Sequence, residues 1–188
     1  MASQKKDTWK FKKWFTVYAP KVFGDSIVIG EMPANGDKDV SNRNINISLN
    51  TLTNNPSHMY TTAVLRVDEV NGDNVTTKLV RLRLPYSYLR SIVRRYRSIS
   101  NVRISGITKD GIKVVAKVLV VTKERTTNSK VVGMRKELSE YLNEEIPKNT
   151  YEELLKAIME GRIQSELNSK MTHITPINKV EFTAFEVN

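Results

Sequence analysis

Arginine and lysine side chains without acidic neighbours are the residues of this sequence that are best suited to chemistry. No Asp or Glu occurs between Asp73 and Asp110, although nine basic residues do. A solvated surface normally mixes both signs of charge, and the planar guanidinium of arginine suits phosphate oxygens and base stacking. The stretch therefore predicts a surface that binds a polyanion. Its basic residues are Lys78, Arg81, Arg83, Arg90, Arg94, Arg95, Arg97, Arg103 and Lys109.

The pattern around these arginines predicts a strand followed by a helix. Arg81 and Arg83 alternate with apolar residues, so in a strand both would point away from the core. After Pro85, residues 86–98 have the apolar spacing of a helix, with Arg90, Arg94 and Arg97 on one ridge and Arg95 apart from it. We expect phosphates along this ridge. The alternative is a solvated helix face with long side chains lying along it.

Other residue types offer little catalytic chemistry. The chain has no cysteine, which excludes disulfides and thiol nucleophiles, and His58 and His173 have no partners at metal-ligand spacing. Asp37 with Asp39, or 68–69, could hold Mg²⁺ in a nuclease, but ordinary turn chemistry explains both pairs. We therefore predict no enzyme activity, no metal and no cofactor.

Composition agrees with a nucleic-acid partner. The 188 residues carry a net charge of +10 and a pI near 9.7, which is typical of nucleic-acid binders, although a generic basic protein or a membrane-surface binder would also fit. Residues 1–130 hold 23 basic and 10 acidic side chains, whereas residues 131–188 hold 7 and 10. No apolar run is long enough to span a bilayer, so we expect a cytoplasmic protein.

The elements that must position these residues indicate an α+β protein. Tight turns at 71–74 and 109–111 predict antiparallel hairpins, and we expect an antiparallel β-barrel-like core with flanking helices, a helical C-terminal part and a final strand. Three segments are predicted: a basic tail (1–13), a basic β-rich RNA-binding core (14–125), and a linker, helices and closing strand packed on that core (126–188). The predicted strands are 14–18, 26–29, 45–49, 59–70, 75–84, 102–108, 112–122 and 177–187, the predicted helices are 86–98, 135–145, 150–161 and 163–170, and the predicted loops are 33–44 and 124–133.

Particular motifs resemble those of the ribosomal protein S3Ae family, also called eS1, of archaea and eukaryotes. They are collinear over about residues 10–188, and their order is more specific than any one of them. Departures from the family pattern are Asn42 in place of a glycine, Lys109 in place of a threonine, and a less basic start of the helix at 134–138. The motifs are Lys13-Trp14-Phe15 with Ala19-Pro20 and Phe23, Ile29-Gly30-Glu31, Arg43 with 45–52, 90–95, 108–111 and 122–125.

The resemblance implies a structural protein of the small ribosomal subunit, on the platform near the messenger exit. It implies ribosomal RNA and neighbouring small-subunit proteins as partners, messenger RNA nearby, a ribosome-bound location and no catalysis. The family fold it implies, a β-barrel core with helices, agrees with the predicted elements. The long basic extensions of eukaryotic members are missing, so the chain is similar to archaeal forms.

Three functions are compatible with these features: ribosomal RNA binding, a free-standing RNA-binding module outside the ribosome, and a Mg²⁺-dependent nuclease. We favour the first, because the arginines and the resemblance agree. Trp9, Trp14 or Tyr96 could stack on bases, although we expect Trp14 and Tyr96 in the core. The predicted RNA-binding residues are Lys12, Lys13, Arg43, Arg81, Arg83, Arg90, Arg94, Arg95, Arg97, Lys123 and Arg125.

Overall fold

A computed structural model describes Trp9, residues 12–24 and residues 27–187. Most of the predicted tail, 1–13, lies outside the described residues. The backbone contacts divide the chain into two compact units. Unit 1 comprises the described residues up to Met59 together with Ala63–Val80, and unit 2 comprises Tyr60–Thr62 and the described residues from Arg81 onward. Both contain strands and helices, which confirms the α+β class. The predicted boundary at residue 125 stays a prediction.

Unit 1 is built on strands that pair in the order β2, β1, β5, β4 and β3. The β1–β2 pair is antiparallel and the β1–β5 pair is parallel. Two short helices, α1 and α2, flank β3, so the predicted loop 33–44 contains the end of β2 and a helical turn. The bounds are β1 Lys13–Tyr18, β2 Val28–Ala34, α1 Asp37–Val40, β3 Asn44–Ser48, α2 Leu49–Thr53, β4 Thr62–Asn71 and β5 Asn74–Arg83.

The core of unit 1 follows from alternation along its strands. Phe15 and Val17 are buried on β1, and they pack with Met32 of β2, Val67 of β4 and Val75 of β5. Successive strand residues point to opposite faces, so these positions lie on one side of the sheet.

The predicted hairpin turn between β4 and β5 is confirmed. Only Gly72 and Asp73 separate the two strands. Gly72 has φ +63°, a conformation that glycine adopts without steric cost.

Unit 2 contains the end of β5 (Arg81–Arg83), then β8 (Ile177–Val187), β7 (Lys113–Thr122) and β6 (Ile99–Ile107), neighbours in that order and all antiparallel. The final strand is where the sequence predicts it. It enters the sheet between β5 and β7. The strands of the described residues form an open sheet, so the expectation of a barrel-like closure needs correction.

Helices α4 (Asn128–Lys148), α5 (Tyr151–Met159) and α6 (Arg162–Met171) follow β7. Helix α4 begins well before the predicted residue 135. Its first turns look polar in sequence, but the side chains of Val131 and Met134 are buried, and this burial stabilises a helix where a linker was predicted.

Helix α5 begins with the predicted capping box. The backbone N–H of Glu153 donates to Thr150 Oγ1, and the backbone N–H of Thr150 donates to Glu153 Oε2. The pKa of Glu153 is lowered because both the backbone and the hydroxyl of Thr150 donate to its carboxylate. Among the helices described, none is long and apolar enough to cross a membrane.

Candidate nucleic-acid interface

Four basic residues of unit 2 share one face of its sheet. Arg81 lies opposite Glu186, Glu186 lies opposite Val115, and Lys117 lies opposite Arg103. Paired residues of antiparallel strands project to the same side, as do residues two apart on a strand. The predicted period-two arrangement of Arg81 and Arg83 is confirmed, since both are exposed and Leu82 between them is buried. We call this surface the basic face: Arg81, Arg83, Arg103 and Lys117.

One carboxylate, Glu186, lies between Arg81 and Lys117 of the basic face. Glu186 Oε1 accepts from Lys117 Nζ at 2.9 Å, and Glu186 Oε2 lies 3.4 Å from Arg81 Nη2. The hydrogen bond from Lys117, together with the charges of Arg81, Lys117 and Arg103, outweighs partial burial and holds the pKa of Glu186 below its ordinary value. Glu186 pairs with two of the four cations, Arg81 and Lys117, so the basic face keeps a net positive charge.

Helix α5 contacts the side of the sheet opposite to the basic face. Phe185, the residue next to Glu186, points to the opposite side of the sheet. There its ring stacks on Tyr151 of α5, with the centroids 6.1 Å apart. The apolar and basic sides of β8 are therefore separate surfaces.

The predicted helix 86–98 is wrong in its second half. Helix α3 spans Tyr86–Ile92, and Val93 is already extended. Tyr96 has φ +62°, a left-handed conformation that interrupts any helix of L-residues. Residues 86–98 contain no Asp or Glu, so nothing in such a helix would offset its row of like charges. The predicted ridge does not form, and Arg94, Arg95 and Arg97 belong to residues 93–98, which we call the arginine loop.

Hydrogen bonds from Ser98 fix the end of the arginine loop. The Ser98 N–H donates to the buried hydroxyl of Thr122 at 2.9 Å, and the Thr122 N–H donates to the Ser98 carbonyl at 3.0 Å. The Thr126 N–H donates to the Ser98 hydroxyl at 3.0 Å. These bonds bring the arginine loop beside the segment that carries Lys123 and Arg125, two predicted residues that are distant in sequence.

Most of these arginines have no acidic partner. Among the described residues, Arg83, Arg90, Arg94, Arg95 and Arg97 form no ion pair within 4 Å. The Arg90 guanidinium lies 4.6 Å from the centre of the Tyr86 ring. Their charge is available to an external anion.

The expectation that Tyr96 lies in the core is wrong, since it is 82% exposed at the tip of the arginine loop. Its left-handed backbone turns the side chain of this position out of the apolar stripe that the helical spacing predicted. The ring is therefore available for stacking.

The remaining predicted residues lie in unit 1. Lys13 and Trp14 pair with Ala34 and Pro33 across β1 and β2, and Arg43 Nη1 donates to the Pro33 carbonyl at 3.1 Å. Trp14 is 57% exposed, so its expected core position is wrong. It lies on the face of β1 opposite to the buried Phe15.

Lys12, the neighbour of Lys13, places its ammonium 4.1 Å from the centre of the Trp9 ring. Cation–aromatic contacts of this kind keep a lysine charge accessible while fixing its position.

The two acidic pairs lie in unit 1. Asp37 and Asp39 are exposed on α1, and Asp68 accepts from Lys78 at 2.8 Å. The described part of the chain contains no group of three His, Cys, Asp or Glu residues that could hold a metal ion.

The predicted RNA-binding residues do not include Arg103 and Lys117, which the structure places on the basic face. Lys117 has an outward position in the pattern of β7, but its partnership with Arg81 depends on β8 lying between their strands. No local signal in the sequence encodes that insertion.

Comparison with known proteins identifies a family and several relatives of the chain. The chain matches the Ribosomal S3Ae family over residues 1–188. It is 36% identical to the small ribosomal subunit protein eS1 of Methanococcus vannielii, over 97% of this chain and 82% of that protein. It is 32% identical to the protein of that name from Methanothermobacter thermautotrophicus (94% and 90% covered) and 34% identical to that from Sulfurisphaera tokodaii (94% and 91%).

Proposed function

The chain belongs to the ribosomal S3Ae family, and from this premise we propose that it binds the RNA of the small ribosomal subunit through phosphate contacts, on the platform near the messenger exit. The family is one of structural ribosomal proteins, and the relatives are small-subunit proteins of archaeal type. The chain accordingly serves translation as a structural component. Its proposed partners are ribosomal RNA and neighbouring small-subunit proteins, with messenger RNA nearby, and its location is on the ribosome in the cytoplasm.

The observation that carries the proposal is the arginine loop. Three arginines lie within four residues, Ser98 holds them beside Lys123 and Arg125, and no carboxylate pairs with them among the described residues. Clustered like charges raise the free energy of the isolated protein. A sugar–phosphate backbone neutralises them and releases counterions, which drives binding.

The predicted residues contribute unequally under this proposal. Arg83, Arg90, Arg94, Arg95 and Arg97 form no ion pair among the described residues, so a phosphate that contacts them breaks no salt bridge. Arg81 shares Glu186 with Lys117 and contributes less. Lys123 and Arg125 extend the contact surface of the arginine loop, and Lys12, Lys13 and Arg43 form a secondary contact in unit 1.

A filter-binding titration with small-subunit ribosomal RNA tests the proposal. If six to ten phosphates are engaged, affinity falls by roughly a thousandfold or more between about 50 and 200 mM salt. The triple variant Arg94→Gln/Arg95→Gln/Arg97→Gln should lower the slope of log affinity against log salt by about 2 to 3, because each lost phosphate contact removes somewhat less than one counterion.

The matched control is Lys156→Gln/Arg162→Gln/Lys170→Gln, which removes the same charge from exposed positions on α5 and α6. Its slope should stay close to that of the unchanged protein. If both triple variants lowered the slope equally, net charge and not the arginine loop would set the affinity, and the proposal would fail.

Sedimentation of a cell extract distinguishes the ribosomal role from a free-standing RNA-binding module. The protein should travel with small subunits, and recovery in the light fractions alone would favour the module. A subunit reconstruction at side-chain resolution tests the platform position and identifies the RNA helices contacted.

A further inference from the structure

We infer that Tyr60 and Tyr86, on unit 2, form a stacking site for unpaired nucleotide bases beside the arginine loop. The inference rests on the proposed RNA binding and adds the class of RNA that this surface takes, which is single-stranded. Neither tyrosine is among the residues that the sequence predicts for binding.

The first stacking surface is the ring of Tyr60. It lies on the ring of Tyr88, with the centroids 4.6 Å apart and the planes 16° apart. Tyr60 is 52% exposed, whereas Tyr88 of α3 is half-buried. The pair is therefore a short stack whose outer member faces solvent, and a nucleobase can continue it, because every base presents a flat π face.

The inner ring of this stack is fixed to the sheet. Tyr88 Oη donates to Glu181 at 3.2 Å and accepts from Lys179 at 2.6 Å, and Lys179 also pairs with Glu181 at 2.8 Å. Partial burial opposes the charged form of Lys179, but the bonds to Glu181 and Tyr88 raise the pKa of its ammonium above the ordinary value. An aromatic surface that is already fixed loses little conformational freedom when a base binds.

The second stacking surface is Tyr86, at the start of the same helix. It is 68% exposed, and the Arg90 guanidinium covers part of its ring at 4.6 Å from the centre. Arginine on an aromatic ring can hold a phosphate while the ring takes a base. Tyr86 therefore links the stacking site to the unpaired arginines.

Charge selects RNA over an apolar protein segment as the occupant. Exposed aromatic rings alone would also suit a protein partner. Here, however, Arg90 lies on the ring of Tyr86 and forms no ion pair among the described residues, and the carboxylate Glu181 is occupied by Lys179 and Tyr88. Duplex RNA keeps its bases stacked inside, so only unpaired nucleotides can use the rings.

The test compares two RNA probes on the full chain, an unstructured single strand of about twelve nucleotides and a duplex with the same number of phosphates. Tyr60→Ala/Tyr86→Ala should weaken binding of the single strand roughly 5- to 150-fold for each base that loses its ring. The affinity for the duplex should stay within about twofold of that of the unchanged protein, because the double variant keeps every charge. Equal weakening of both probes, or of neither, would overturn the inference.

The matched control is Tyr60→Phe/Tyr86→Phe, which retains both rings and should bind the single strand like the unchanged protein. A loss with phenylalanine equal to that with alanine would assign the effect to the hydroxyls and overturn the stacking site. Circular dichroism should show both double variants folded, since both positions are exposed.

The triple arginine variant separates this inference from the proposed function. If it weakens binding of both probes while the tyrosine variants weaken neither, RNA binding stands and the stacking site fails. If it weakens neither probe, the proposed function fails first. A short apolar peptide serves as a third probe, and its competition with the single strand for Tyr60 and Tyr86 would favour a protein partner over RNA.

Discussion

Arg81 and Glu186 lie opposite each other on adjacent antiparallel strands, and 3.4 Å separates Arg81 Nη2 from Glu186 Oε2. The second oxygen of Glu186 accepts from Lys117. One carboxylate thus holds two cations of the basic face together in the free protein. Its negative charge also repels any phosphate that approaches these cations. Glu186 therefore stabilises the folded protein but weakens its binding to RNA.

Glu186→Gln should increase affinity for ribosomal RNA. The amide removes the negative charge and frees Arg81 and Lys117, so the slope of log affinity against log salt should steepen by up to about 1. Filter binding over a salt series measures it. Glu140→Gln removes the same charge from an exposed position on α4 and should have little effect; an equal gain from this control would contradict a local role for Glu186.

Glu186 should also make stability depend on pH in the acid range. Its pKa is lowered in the folded protein, so its contribution is present above about pH 4.3, the ordinary glutamate value, and is lost as pH falls through the lowered pKa. Urea unfolding should show the unchanged protein more stable than Glu186→Gln by up to about 1 kcal/mol at neutral pH. The difference should vanish in acid, and a difference independent of pH would rule out this titration.

Thr122→Val should weaken RNA binding although no charge changes. The variant leaves the Ser98 N–H without its side-chain acceptor, which costs about 1–3 kcal/mol in a buried site and loosens the arginine loop. Chemical unfolding and RNA titration measure the two effects. Thr122→Ser retains the hydroxyl and should restore both, whereas normal RNA affinity in the valine variant would separate the loop's order from its binding.

Gly106→Ala should destabilise unit 2. A Cβ atom at this position of β6 would lie 2.8 Å from Cγ2 of Ile146 on α4, and overpacking of this kind costs about 1–3 kcal/mol. Thermal unfolding measures the loss, and Ile146→Val in the same chain should not recover it fully, because that residue keeps both branches at Cβ. Ile146→Ala should relieve the clash and show a favourable coupling with Gly106→Ala.

The control for Gly106→Ala is Gly36→Ala, where no atom would lie within 4 Å of the new Cβ. Its φ of 179° is extended backbone that alanine adopts freely. The variant should change stability by less than about 0.5 kcal/mol. A loss equal to that of Gly106→Ala would show that the backbone, and not the contact with Ile146, sets the cost.

Local chemistry explains which elements the sequence predicts well. The turns at Gly72 and Gly111 need positive φ, and the cap of α5 needs only Thr150 and Glu153. Each depends on residues a few positions apart, so the sequence alone contains the information. The alternation of Arg81 and Arg83 about the buried Leu82 is equally local.

The features that the sequence does not predict depend on distant partners. Helix α3 ends at Ile92, and the chain then turns so that the Ser98 backbone pairs with Thr122 of β7. Helical periodicity carries no sign of that pairing. Arg103 and Lys117 become part of the site only through strand order. The exposure of Trp14 follows from which face of β1 is covered, and the short stretch of alternation around it fits either face.

The position of β8 in the sheet affects how unit 2 folds during synthesis. This strand, residues 177–187, fills the place between the end of β5 and β7. The end of β5 and strand β7 are synthesised before β8 and cannot be bridged by it until it emerges. Until then, Arg81 and Lys117 lack their shared carboxylate, Glu186. The sheet of unit 2 can therefore be completed only after residue 187 has left the exit tunnel, so we expect this unit to finish folding late in synthesis.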